Sequence, residues 1–281
     1  MLTRFNILAL VALLLFVGGF LPVWQILVAK WAGSDEYTHA FLTLPIILYM
    51  VWSKRRELQD LTPRFASLGL LLLVLAIPIY LFALLANVHT IIALAMFLAV
   101  LGVVIYLAGV GAVRELAVPL ILFAMLIPVP EQLYIQLTFP LQLKVSEASE
   151  VIIRTFGVTI FREGNIMHIP QKSFEVVEAC SGLRSVITLM TLSIIMGYFM
   201  LRRAGSMILL LAGSIPAAIV VNLIRVVAMV LLYHFFGLDL TEGALHTISG
   251  LAVFGAALLL LFGLQQVLEK WERSKKPSSL S

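Results

Sequence analysis

The chain has 281 residues, 62% hydrophobic and 12% charged, with a net charge of +4 and a mean hydropathy of +1.08. Soluble globular chains carry roughly 25% charged residues, so this composition excludes one and points to a polytopic membrane protein. A single cysteine excludes an intramolecular disulfide. With no CxxC and no His-rich metal spacing, neither a metal nor a cofactor is expected.

Apolar runs long enough to cross a bilayer, about 20 residues each, predict eight spans: 6–29, 37–53, 66–86, 89–110, 113–129, 182–201, 206–236 and 246–268. The first is too long for a signal h-region and reads as a retained anchor. Pro45, Pro78, Pro119 and Pro216 lie in or near spans, which membrane helices tolerate. Basic residues fall at every second connection: Arg4, Lys54-Arg55-Arg56 with Arg64, Arg114, Arg202-Arg203, and Lys270 with Arg273, Lys275 and Lys276. They read as topology signals rather than as a nucleic-acid surface, and they put both termini in the cytoplasm. The expected architecture is one all-α membrane domain over 1–281, closed by a short disordered cytoplasmic tail from 270 to 281.

The longest piece between spans, 130–180, is then extracytoplasmic. Leu141, Val145, Ala148, Ile152 and Phe156 recur at helical steps, with Glu147, Glu150 and Arg154 on the other face, which predicts an amphipathic helix lying on the membrane surface. After it, Val158–Arg162 and Ile166–Ile169 flank Glu163-Gly164-Asn165, the pattern of a β-hairpin.

Chemistry concentrates at Phe174-Glu175-Val176-Val177-Glu178-Ala179-Cys180-Ser181-Gly182-Leu183-Arg184-Ser185. A lone cysteine in so apolar a chain ordinarily packs as a small hydrophobe. Here its neighbours are Glu178, Ser181, Gly182 and Arg184, where a helix begins, a setting that leaves a thiol accessible and activated. Arg225 lies inside an apolar span, and ionisable residues there are costly. Counted from Arg203, it is about 33 Å along its helix, slightly more than a ~30 Å hydrocarbon core. The same count from Arg202 back to Cys180 gives about 33 Å, and from Lys270 back to His246 about 36 Å.

Cysteine, arginine and histidine therefore come out at one leaflet on three consecutive helices. The plainer readings are that Arg225 snorkels to the interface, that Asn222 bonds a neighbouring helix, and that His246 caps a helix end. His234 rivals His246 as acid/base, and Asp35, Glu36 and His39 read as a solvated loop that could also line the site. Together the residue types fit acyl transfer: Cys180 as nucleophile, Arg225 for the oxyanion, His246 for protons.

At these residues the sequence resembles the exosortase/archaeosortase family of membrane transpeptidases. The resemblance rests on Glu178 to Ser185, Asn222-Leu223-Ile224-Arg225, and His246 with Gly250. It also takes in Asp35 to His39, Pro128-Val129-Pro130 and Glu163-Gly164-Asn165. It implies a thiol protease that cuts C-terminal sorting tails (a Pro-Glu-Pro-like motif, a transmembrane helix and a basic cluster), with Cys180, Arg225 and His246 catalytic. Its partners would be membrane-anchored exported proteins in the inner membrane of bacteria that make exopolysaccharide, and no nucleic acid. Glu178, Ser181, Gly182, Arg184, Asn222 and His39 are the expected supporting residues. The alternative is a transporter or polysaccharide-export component in which Arg225 binds an anionic group; a scaffold comes third.

Overall fold

The structure, a computed structural model, describes residues 16–34, 37–59, 66–176, 182–241 and 243–274, with backbone alone at 59 and 182–185. It is mostly helical and divides into two compact units, 1–130 and 131–281.

In the first unit, α1 (Leu21–Gly33) and α2 (Ala40–Ser53) are followed by a short turn of helix, α3 (Arg55–Gln59). Next come α4 (Ser67–Leu85), α5 (His89–Glu115) and α6 (Ala117–Met125). On α1 the buried residues are Val23, Leu27 and Trp31, four apart and so on one face. The α4 and α5 backbones approach closely through two glycines. A Cβ at Gly69 would stand 2.2 Å from the Tyr106 amide nitrogen, and one at Gly102 would stand 3.0 Å from Leu73 Cγ. Small residues of this kind let membrane helices touch backbone to backbone. Gly109 breaks α5 with φ 78° and ψ 176°. The chain leaves α6 through Pro128-Val129-Pro130, and side chains satisfy its backbone: Trp31 Nε1 donates to the Leu126 carbonyl at 2.9 Å, Thr90 Oγ1 donates to that of Pro128 at 3.0 Å, and Tyr37 Oη accepts the Val129 N–H at 3.0 Å.

The second unit opens with α7 (Glu131–Thr155) and a three-stranded antiparallel sheet, β1 (Phe161–Glu163), β2 (Ile166–Ile169) and β3 (Lys172–Glu175). Three long helices follow: α8 (Gly182–Met200), α9 (Ala204–Phe236) and α10 (Gly243–Ser274). Helix α7 starts ten residues ahead of the expected amphipathic pattern, and its buried face differs too. Thr138, Val145, Ser146, Ser149 and Ile153 are buried, whereas Phe156 is 55% exposed. The small serines carry no hydrophobic signal, yet they sit on the side covered by the sheet and α9. Glu150 joins Arg154 at 2.6 Å, as its four-residue spacing suggests, and also Arg162 of β1 at 2.8 Å.

Phe161 pairs with His168 and His168 with Ser173, the first turn using Gly164 at φ 63°. Strand β3 was not foreseen, because Lys172-Ser173-Phe174-Glu175 offers one apolar residue in four. That residue alternates inward with Met167, Ile169 and Val176. The inner face packs on Val145 and Ile153 of α7 and on Val226, Met229 and Val230 of α9.

Helix α9, at 33 residues, is about 50 Å long, more than a bilayer core needs. Its surplus C-terminal turns are the platform that carries the sheet. Below them, Val186 and Leu189 of α8, Ala218 and Val221 of α9, and Ala257 of α10 form one cluster. At the far end the Glu272 carboxylate accepts the N–H groups of Arg202 and Arg203, both at 3.0 Å. This tie explains why α10 stays helical to Ser274, past residue 270 where a disordered tail was expected; 275–281 lie outside the described residues.

Among the described residues, four helices are long and apolar enough to cross a membrane: Ser67–Leu85, His89–Glu115, Ala204–Phe236 and Gly243–Ser274. Ala40–Ser53 and Val186–Met200 are shorter apolar helices. Within the described residues α1 has 13 residues and α6 nine.

Candidate active site

Arg225 continues the stripe by which α9 packs on its neighbours, four residues beyond Val221 and seven beyond Ala218. On α10 the corresponding stripe runs back from Leu261 and Ala257 to Val253, Gly250 and His246, at steps of three and four. Gly250 therefore stands where another residue would place a side chain, and Arg225 takes that space. A Cβ at Gly250 would meet Arg225 Nη2 at 3.7 Å. His246, one turn before Gly250, is half-buried on the same face. On α8 the helical backbone at Gly182 lies one turn ahead of Val186, which belongs to the same cluster as Val221.

The orientation of His246 is fixed. Its Nδ1 lies 3.2 Å from the Leu240 carbonyl. A carbonyl only accepts, so Nδ1 carries the proton and Nε2 is the basic nitrogen of the neutral ring. The Ser249 hydroxyl donates to the His246 carbonyl at 2.9 Å. His234 differs: its Nδ1 is buried without a hydrogen-bond partner, and its ring stands edge-on to Phe235. Asn222 is 3% exposed, one turn before Arg225.

Leu240 sits in the loop between Gly237 and Gly243, at φ 66° and 64°. Asp239 in this loop accepts the Thr241 N–H at 2.9 Å and pairs with Lys172 of β3. The Lys172 ammonium, followed by the Thr241 hydroxyl and amide, holds the Asp239 carboxyl down at about 2, from an ordinary 3.8. Sequence reasoning missed Lys172, Asp239, Leu240 and Thr241. The one available signal was Asp-x-Thr, a pattern that folds a carboxylate back on its own backbone.

Cys180, Glu178 and Ser181 lie outside the described residues, as do Asp35 and Glu36, and of Gly182 and Arg184 only the backbone is described. His39 belongs to the first unit, where it precedes α2 and stacks on Tyr37. Among the described residues no group of three His, Cys, Asp or Glu side chains is placed to hold a metal ion.

Long apolar helices, with an arginine packed beside a glycine one turn from an oriented histidine, define an integral membrane protein. The chain belongs to the exosortase family: the model for transmembrane exosortases (Exosortase_EpsH) matches residues 31–263, most of its length. The match spans Cys180, Arg225 and His246. No curated protein and no solved structure matches the chain.

Proposed function

We propose that this exosortase is a cysteine transpeptidase or peptidase that cuts the C-terminal sorting tails of exported proteins. The observation that supports it most directly is the approach of Arg225 to Gly250, one turn from a His246 whose proton is already assigned. Cys180 precedes by two residues the helix that enters at the same level.

In this reading His246 Nε2 takes the Cys180 thiol proton, and the resulting thiolate attacks the carbonyl carbon of the scissile peptide bond. Negative charge moves to the carbonyl oxygen, where the Arg225 guanidinium donates hydrogen bonds to it. Protonated His246 gives the Nε2 proton to the leaving amine as the C–N bond breaks. The same Nε2 then deprotonates water or an acceptor amine, which attacks the thioester carbonyl; the C–S bond breaks and the Cys180 sulfur is released. The positive-inside count puts this chemistry on the periplasmic side of the inner membrane, with eight spans and both termini in the cytoplasm. The substrate's own transmembrane helix would dock from within the bilayer.

The test is Cys180→Ser in cells making a reporter with a motif–helix–basic tail. Full-length reporter should accumulate, and wild-type protein quenched with acid should carry a reporter adduct on Cys180 by mass spectrometry. Unchanged processing by the serine variant would end the proposal.

A further inference from the structure

The proposed chemistry uses Arg225 and His246 but leaves a charged cluster beside them without a role. Lys172, on β3, reaches into the α9–α10 loop, pairing with Asp239 and donating to Thr241 Oγ1 at 2.9 Å. Its ammonium also lies over the rings of Phe174 and Tyr233, at 5.7 and 5.5 Å from their centroids. Between Asp239 and Thr241 stands Leu240, whose carbonyl accepts from His246 Nδ1. The loop is bracketed by two glycines in the left-handed region, so its ends give it little stiffness of their own. What holds it is Asp239 and the packing of Leu240 on the sheet cluster.

We propose that Lys172 is a positioning residue: through Asp239 it locks the α9–α10 loop to β3 and thereby fixes the ring of His246. This rests on the role given to His246 above. The same strand ends at Glu175, five residues before Cys180. One lysine thus sets the loop that orients the base against the strand that leads to the nucleophile. Catalytic groups held by contacts of this kind lose about a hundredfold in rate when displaced by about 1 Å.

Because the chain has one cysteine, alkylation by iodoacetamide reports on Cys180 alone, independently of turnover. The experiment measures alkylation rate and reporter cleavage in membranes for wild type, H246A, K172M and K172R. Loss of the lock should lower kcat for K172M about tenfold or more, with KM within about twofold. Alkylation should slow as it does in H246A, because a displaced imidazole no longer supports the thiolate. K172R should recover most of both, which a merely misfolded K172M could not explain. Wild-type turnover and alkylation in K172M, beside a slowed H246A, would overturn the lock. An unaffected H246A would instead remove the catalytic assignment of His246, and this proposal with it.

Discussion

The Arg225 guanidinium occupies, on α10, the side-chain space that Gly250 leaves open, with Nη2 3.7 Å from the site of a Cβ. That distance is ordinary van der Waals contact, so Gly250→Ala should be accepted and should favour the helix by about 1 kcal/mol. Gly250→Leu extends its branched end into the guanidinium and must displace it. Reporter cleavage is expected to survive in the alanine variant and to fall at least about tenfold in the leucine variant, at matched expression. Equal activity in both would mean that the position of Arg225 is irrelevant to the reaction.

A second relationship ties together two stretches on which the family resemblance rests. Tyr37, from the Asp35–His39 segment, accepts the N–H of Val129 between two prolines that have none to offer. Tyr37→Phe removes that acceptor. Leaving a half-buried N–H unsatisfied costs about 1–3 kcal/mol, and the thermal midpoint in detergent should drop accordingly. An unchanged midpoint would show that water replaces the tyrosine.

The long helices α4, α5, α9 and α10 were legible because each holds an apolar run, and hydropathy does not depend on what a run packs against. The expected common level of Arg225 and His246 rested on the rise of about 1.5 Å per residue in a helix. The short strand β3 was not legible, since Phe174 is the one apolar residue among its four. The packing face of α7 was misjudged because Ser146 and Ser149, buried at 0% exposure, carry no hydrophobic signal. The Lys172–Asp239 pair joins residues 67 apart, and no local pattern marks such a contact. Nor does periodicity reveal that α9 outruns the bilayer core to carry a sheet.

The α4–α5 contact makes a sharper steric claim. A methyl at Gly69 would fall 2.2 Å from the Tyr106 backbone nitrogen, where no side-chain rotation can relieve it. Gly69→Ala should therefore destabilise the first unit by about 1–3 kcal/mol, in spite of alanine's better helix propensity. Gly205→Ala, with nothing within 4 Å of the added carbon, is the matched control and should be neutral or slightly stabilising. Thermal unfolding of both in the same detergent decides it. Equal midpoints would show that the two helices can separate without cost.

Asp239 gives the pH dependence. Its folded value lies near 2, below an ordinary 3.8, chiefly because Lys172 hydrogen-bonds the ionised form. A carboxylate with a lowered value stabilises the fold fully above its unfolded value, and that contribution disappears as pH falls toward the folded one. The difference in thermal midpoint between wild type and Asp239→Asn should thus be constant near neutrality and close between about pH 5 and pH 2. The Asp239 side chain is 37% exposed, so solvent screens the pair and added salt should narrow the gap at neutral pH as well. A gap that widened on acidification would mean that the asparagine acts through the loop backbone rather than through the loss of the ion pair.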